Sequence, residues 1–285
     1  MIAYYTTIWT PYHETICREL NDLLGGSFRL VLTQPVVNEC NLGWITNTTL
    51  MVTMPDCDKA VALAQEGGFN DRVGLHINIY GGEPLTERIR HCPNFCGDDG
   101  LFNHAFSQGL VKCWTPLSQE ERSALYEEVE AQCERFVKLG LPVRHFDSHH
   151  HSHMIMRVLP TICDAAASHG FKTIRRGINV FDRKTLRRKV YYSMQDFLQC
   201  QIMGGRSLSY TDYMCDFFNF KKYFNNFRED DTVELMVHPF YEKNGKLDDA
   251  GEMSDSGLRK MEEVVDFITC NRKKIQLVSF ADFAK

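Results

Sequence analysis

The sequence predicts a parallel α/β fold, with a barrel favoured over an open sheet. Short runs of branched and aromatic residues alternate with helical patterns along almost the whole chain. The 285 residues, 44% of them apolar, are enough for one large domain with a proper core. No internal repeat, low-complexity run or linker divides the chain, so residues 1–285 are read as a single domain.

Tyr4–Ile8 is β-prone. Thr10-Pro11 reads as a helix start, Glu14 to Leu24 has helical spacing, and Gly25-Gly26 ends it. Residues 27–43 show no clear period, although Phe28–Leu32 could be a strand. Trp44–Met54 reads as a strand, broken by Pro55-Asp56, with Asp56 as N-cap of a short helix that ends at Gly67-Gly68. Val73–Tyr80 is the next strand. Residues 86–117 read as an irregular excursion. Ser118-Gln-Glu-Glu121 is a capping box opening a helix to about Leu139, with Leu125, Val129, Cys133 and Phe136 on one face. Pro160–His169 is helical, Gly170 stops it, and Lys172–Arg176 is a short strand. Residues 180–227 carry helical signals interrupted at Gly204-Gly205, with Phe217, Phe218, Phe220, Tyr223 and Phe224 as core or pocket wall. Thr232–Phe240 is a strong strand, Tyr241–Met253 a polar loop, Ser256–Lys274 a helix, and Ile275–Phe280 a last strand.

The net charge of −5 is mild. The one basic cluster, Arg183-Lys184 with Arg187-Arg188-Lys189, reads as a solvated helix face, so no nucleic-acid partner is expected. No stretch reaches the roughly 20 apolar residues of a membrane span, and Met1-Ile-Ala-Tyr-Tyr does not open a signal peptide. Eleven irregularly spaced cysteines read as free thiols of a reducing cytoplasm; Cys92 and Cys96 lack the second pair that a zinc ribbon needs.

The chemistry concentrates in His145-Phe-Asp-Ser-His-His-His-Ser-His153, where five of the eleven histidines lie beside one aspartate. A helix end and a short apolar run precede it and a helix approach follows. The cluster therefore falls where a strand gives way to a loop, the edge that carries chemistry in parallel α/β folds. Neutral imidazoles ligate divalent transition metals, and a neighbouring carboxylate ligates or orients them. His76 and His238 lie in or at the ends of two further apolar strands. A lone histidine there is usually a satisfied core residue, but strand ends of one sheet converge on one pocket.

Val73-Gly-Leu-His-Ile-Asn with Glu83-Pro84-Leu85, the block from His145 to His153, Thr173-Ile-Arg-Arg176 and Glu234-Leu-Met-Val-His-Pro239 resemble the signature blocks of the YdjC-like carbohydrate deacetylases. That group includes the chitooligosaccharide deacetylases. Asn47-Thr-Thr-Leu-Met-Val52 matches the strand before the first histidine, and the resemblance covers roughly residues 44–285. It implies a distorted TIM-like barrel of mostly parallel strands, holding one divalent metal, Mg2+ or Zn2+, and removing N-acetyl groups from amino sugars or chitooligosaccharides. Carried over, His76 and His149 become metal ligands and His238 the general acid. Asp147, His151 and His153 would orient ligands or face the substrate, with Arg175 or Arg176 steadying the pocket. A homodimer is one expectation for its assembly.

The chain departs from the family at its start. The family's first strand ends in an Asp-Asp pair that supplies a metal ligand and the base. Here Tyr5-Thr6 stands in that place, no aspartate precedes Asp22, and residues 24–42 read as an insertion or altered segment. His13 and Glu14 are possible substitutes. A catalytically impaired sugar-binding relative is therefore the alternative to an active deacetylase. Phosphoesterase chemistry on a similar barrel would call for more acidic ligands.

Overall fold

The computed structural model describes residues 2–8, 45–181, 185–237, 239–241, 247–249 and 261–283. The segment expected as a first helix, all of residues 24–42, and His13, Glu14 and His238 lie outside them.

Parallel strands dominate, in the order β5-β4-β3-β2-β1-β7-β6. These are β1 (Ile2–Ile8), β2 (Asn47–Leu50), β3 (Val73–Ile77), β4 (His145–Ser148), β5 (Thr173–Ile174), β6 (Tyr213–Asp216) and β7 (Val233–Val237). A short β10 (Leu277–Val278) adds to β1 beside Ile2 and Ala3. The edge strands approach each other through a parallel bridge between Thr173 and Ser209 and a hydrogen bond from Asn179 N to Met214 O. The ladder is thus nearly a ring, joined at this seam by isolated bonds.

The alternation of strand and helix holds. Helix α1 (Cys57–Glu66) follows β2, and α4 (Gln119–Lys138) follows β3 after an excursion that holds two short helices, α2 (Glu87–Arg90) and α3 (Leu110–Trp114). Helix α5 (Leu159–Ser168) follows β4, α6 (Leu186–Gly204) follows β5, α7 (Phe217–Tyr223) follows β6, and α8 (Met261–Cys270) and α9 (Phe280–Phe283) flank β10. Ser118 and Glu121 form the capping box of α4, whose Leu125, Val129, Cys133 and Phe136 are fully buried. Gly74 is demanded by packing, because a Cβ there would meet the carbonyl of His145 on β4 at 2.7 Å.

Three expectations need correction. The strand expected over Trp44–Met54 is only Asn47–Leu50, because residues 52–56 turn toward α1. The helical reading of residues 180–227 missed β6. Met214 and Cys215 are buried and pair in register with Glu234 and Leu235 of β7, so tertiary pairing overrides the local pattern. The loop expected over Tyr241–Met253 contains β9 (Leu247–Asp249), paired antiparallel with β8 (Pro239–Tyr241). Phe217 and Phe220 are buried as expected, whereas Phe218 is exposed. The described cysteines are free. No helix among the described residues is long and apolar enough to cross a membrane.

Candidate active site

Register brings the candidate residues together. β3 and β4 run parallel with His76 opposite Asp147, one residue beyond the row that joins Leu75 to Phe146. Both sit at the C-terminal edge of the sheet, and both are buried. His76 Nδ1 lies 2.7 Å from Asp147 Oδ1 and 3.1 Å from Thr49 Oγ1 of β2. The carboxylate accepts the Nδ1 proton, which leaves Nε2 as the nitrogen able to ligate a metal.

His149 follows β4 directly. Its ring centroid lies 5.8 Å from that of His76, at 65° between planes. The chain then turns sharply, with His150 and His151 in succession at φ 51° and 52°. Two adjacent non-glycine residues in the left-handed region cost roughly 1–3 kcal/mol each, the kind of strain that surrounding structure imposes at functional sites. Tyr80, beyond β3, packs edge-on to His149 at 5.7 Å, tilted on His150 at 4.6 Å, and stacked on His104 at 5.0 Å. It wedges the His149 ring from the rim.

Beneath the two histidines lies a buried charge network. Arg175, just after β5, places Nη1 2.8 Å from Asp147 Oδ2 and Nε 2.7 Å from Glu234 Oε1 on β7. All three side chains are at most 1% exposed. Burial raises the pKa of Glu234, opposed by the adjacent guanidinium. Among the described residues Glu234 Oε2 has no hydrogen-bond partner. Isolated charges at this depth would be costly, and Arg175 balances the carboxylates on either side.

The other histidines of the cluster divide by role. His153 is fully buried; its Nε2 donates to the Arg175 carbonyl at 3.0 Å, and its Nδ1 accepts from Ser148 Oγ at 2.5 Å. Ser148 Oγ also accepts from the His153 backbone N–H at 2.8 Å and from Ser152 Oγ at 3.1 Å. Burial pushes the His153 pKa down to about 4, so the ring is a neutral brace for the turn rather than a substrate-facing group. His145 is likewise buried and held neutral by burial, stacked on Phe280 at 3.5 Å. His151 is half-buried at the turn. Arg176 points away from the cluster, paired with Asp196 of α6 at 2.6 Å and bonded to the Asp212 carbonyl at 2.7 Å.

The sequence reading missed Thr49, Tyr80 and Glu234, and also two polar residues on the inner face of α4. Glu128 accepts from Leu85 N, Thr86 N and Thr86 Oγ1 at 2.8–3.1 Å. Gln132 bonds both the backbone N–H and the carbonyl of Asn78. Together they pin the loop that carries Tyr80. The signal was available, because Glu128 and Gln132 share a face with buried Leu125 and Val129, and polar groups there need partners.

His76 and His149 suit a divalent transition metal in residue type and in their mutual approach, and Asp147 orients His76 as metal-ligating histidines usually require. They are two donors where catalytic zinc sites usually have three. Among the described residues no group of three or more His, Cys, Asp or Glu could hold a metal ion. Tyr5 and Thr6 lie on β1 between β2 and β7, opposite Asn47 and Thr48 on one side and Met236 and Val237 on the other.

Residues 33–274 match the family described as YdjC-like protein, a span that takes in residues 33–42 of the segment expected to be inserted. A carbohydrate deacetylase of Vibrio cholerae is 31% identical over 201 residues, 70% of this chain and 69% of that protein. One from Vibrio campbellii is 30% identical over 197 residues, covering 69% and 68%. One from Vibrio vulnificus is 29% identical over 235 residues, covering 82% and 81%. Among solved structures, an Enterococcus faecalis protein provisionally described as a cellobiose-phosphate cleavage protein superposes with a TM-score of 0.65. It is 18% identical, covers 100% of this chain and 98% of its own, and the likeness is one of fold.

Proposed function

The chain belongs to the YdjC-like protein family, and from that premise we propose that it is a metal-dependent hydrolase that removes N-acetyl groups from acetylated amino sugars. The observation that carries this reading is the meeting of His76 and His149 over the Asp147–Arg175 pair. What the metal supplies when bound is polarisation of the acetamide carbonyl and a water acidified toward a pKa of about 7.

The chain's own residues do the rest. Asp147 fixes the tautomer of His76, so that Nε2 would be the nitrogen to hold the metal. Arg175 anchors Asp147 from its far oxygen and ties it to Glu234 on β7. Tyr80 and the turn at His150-His151 set the plane of the His149 ring. His238, the residue after β7, is assigned the protonation of the departing amine, the step an imidazolium performs best near neutral pH.

A second reading rests on the sequence. Tyr5-Thr6 are read at the position of the family's aspartate pair, which would leave the chain short of a ligand and a base. On that reading it is a sugar-binding relative with weak metal affinity. One experiment separates the two. Metal content is measured by mass spectrometry and acetate release from diacetylchitobiose is followed, for the native chain, His76→Ala, His149→Ala, and Tyr5→Asp with Thr6→Asp. A deacetylase holds one metal per chain, turns over at about 1–10³ s⁻¹, and loses both properties in either histidine variant. Sugar binding without acetate release, repaired by the two aspartates, establishes the second reading. A native chain that keeps its metal after loss of His76 or His149 sinks the metal assignment in both.

A further inference from the structure

Four aromatic rings stand beside the candidate site without joining the core. Trp114 ends α3, in the segment that links β3 to α4, and Phe181 lies in the segment that links β5 to α6. Both segments leave the C-terminal edge of the sheet, where the loops of a parallel α/β fold build the site. Because β3, β4 and β5 are neighbours in that order, these two segments flank the one that carries His149. Tyr191 and Tyr192, near the start of α6, join them into a row. The ring centroids lie 6.2 Å apart from Trp114 to Tyr191, 5.3 Å from Tyr191 to Tyr192, and 5.3 Å from Tyr192 to Phe181, each pair edge-to-face. Trp114 Nε1 donates to the Tyr191 hydroxyl at 2.9 Å, which fixes two of the rings against each other.

Two contacts tie this row to the histidine turn. The Arg157 N–H donates to the Cys113 carbonyl at 3.2 Å, and Gln199 Nε2 of α6 donates to the Met154 carbonyl at 2.6 Å. From Gln199 the helix continues toward its N-terminus with no residue from Leu198 back to Leu186 buried, a length of about 20 Å. Even its apolar Leu186, Val190, Met194 and Phe197 are turned outward, exposed by 49–77%. This half of α6 therefore stands clear of the core as a wall. None of Trp114, Phe181, Tyr191 and Tyr192 belongs to a hydrophobic cluster among the described residues, and Tyr192 is 39% exposed. Tyr and Trp rings pair an apolar body with a polar tip. They suit a ligand built the same way, and a pyranose ring has C–H bonds on its faces and hydroxyls around its rim. We propose that Trp114, Tyr191 and Tyr192 form a sugar-stacking wall for a pyranose ring remote from the acetamide that is cleaved. The chain then selects an oligosaccharide over a single amino sugar, because binding energy from remote parts of a substrate is used at the reacting centre. The inference rests on the deacetylase reading and adds to it the residues that set substrate length.

Binding and turnover are read separately. Calorimetry on the EDTA-treated full chain gives affinities for triacetylchitotriose and N-acetylglucosamine without hydrolysis, and acetate release gives kcat/KM for both on the metal-loaded chain. The native chain should bind the trisaccharide at least about 10-fold more tightly than the monosaccharide. Trp114→Ala should weaken trisaccharide binding about 10-fold and monosaccharide binding less than about 3-fold, and Trp114→Phe, which keeps a ring face, should hold most of the affinity. Tyr192→Ala, a change at an exposed ring, gives a second reading if Trp114→Ala fails to fold, with an expected loss of about 3–10-fold for the trisaccharide. A chain that releases no acetate from either sugar, yet binds the trisaccharide more weakly once Trp114 is lost, refutes the deacetylase reading and supports the wall. Equal affinity of the native chain for the two sugars, or trisaccharide affinity unchanged in both alanine variants, overturns the proposal.

Discussion

Replacing Arg175 with methionine removes the cation from between two buried carboxylates. In the native chain Arg175 meets Asp147 at 2.8 Å and Glu234 at 2.7 Å, with all three side chains out of contact with water. Methionine fills a similar volume, so the packing loss is small and the electrostatic loss dominates. Removing one partner of a buried pair costs about 3–5 kcal/mol, because the remaining charge is left without compensation. For a chain of this size that lowers the melting temperature by roughly 6–20 °C, at about 2–4 °C per kcal/mol. Adding Glu234→Leu to Arg175→Met should recover part of the loss, since one of the two stranded carboxylates is gone. A double-mutant cycle should therefore give a coupling of about 1–3 kcal/mol. Urea midpoints by circular dichroism supply all four corners. Metal content of the Arg175→Met chain is a second readout, expected to fall because Asp147 loses the group that fixes its far oxygen. A loss below about 1 kcal/mol, or strictly additive variants, would refute the reasoning that the three charges form one balanced unit.

Three further outcomes follow from the geometry. Folded His153 stays neutral down to about pH 4, whereas unfolded histidine takes up its proton near 6.5, so stability is lost as pH falls through that window; between pH 8 and 5 the native chain should lose about 2 kcal/mol more than His153→Gln, measured by urea titration. Glu128→Ala strands the donors of Leu85, Thr86 and Gln132 and should cost about 3 kcal/mol in thermal unfolding, with Glu128→Gln milder. Gly74→Ala would drive a methyl against the His145 carbonyl and part β3 from β4, at about 1–3 kcal/mol and with reduced metal content, because His76 and Asp147 face each other across that pair.

Much of the architecture is legible in the sequence. The alternation of strand and helix, the capping box at Ser118, and the apolar face of α4 are local properties of the chain. The approach of His76 to His149 was legible for a topological reason, because parallel strands deliver their C-terminal ends to one edge. The Arg175–Glu234 pair was not. Its partners are 59 residues apart on strands that β1 to β4 separate, and no local pattern joins them. Half of the signal was present even so, since a glutamate inside Val233-Glu-Leu-Met-Val237 must find a buried cation or a proton. β6 was hidden because Tyr213–Asp216 is too short to show a period of two within a helix-rich stretch. The inverted face of α6 was hidden for the opposite reason. A stripe of Leu186, Val190, Met194 and Phe197 looks the same in sequence whether it is buried or exposed.

The cluster from His145 to His153 shows how far residue type alone can go. Its composition suggests a group of metal ligands, but burial and bonding separate its members. His149 faces His76 and Tyr80, and is the one that the proposed metal-dependent reading uses. His153 has both ring nitrogens committed to Ser148 and the Arg175 carbonyl, and His145 is stacked on Phe280, so these two hold the strand end and the turn in place. His150 and His151 form the corner itself, at backbone angles that only a well-braced turn sustains. The density of histidines is therefore largely a scaffold for presenting His149. That gives the first separation in any functional dissection: loss of His145 or His153 should act through stability, whereas on the proposed metal-dependent reading loss of His149 should show first in metal content.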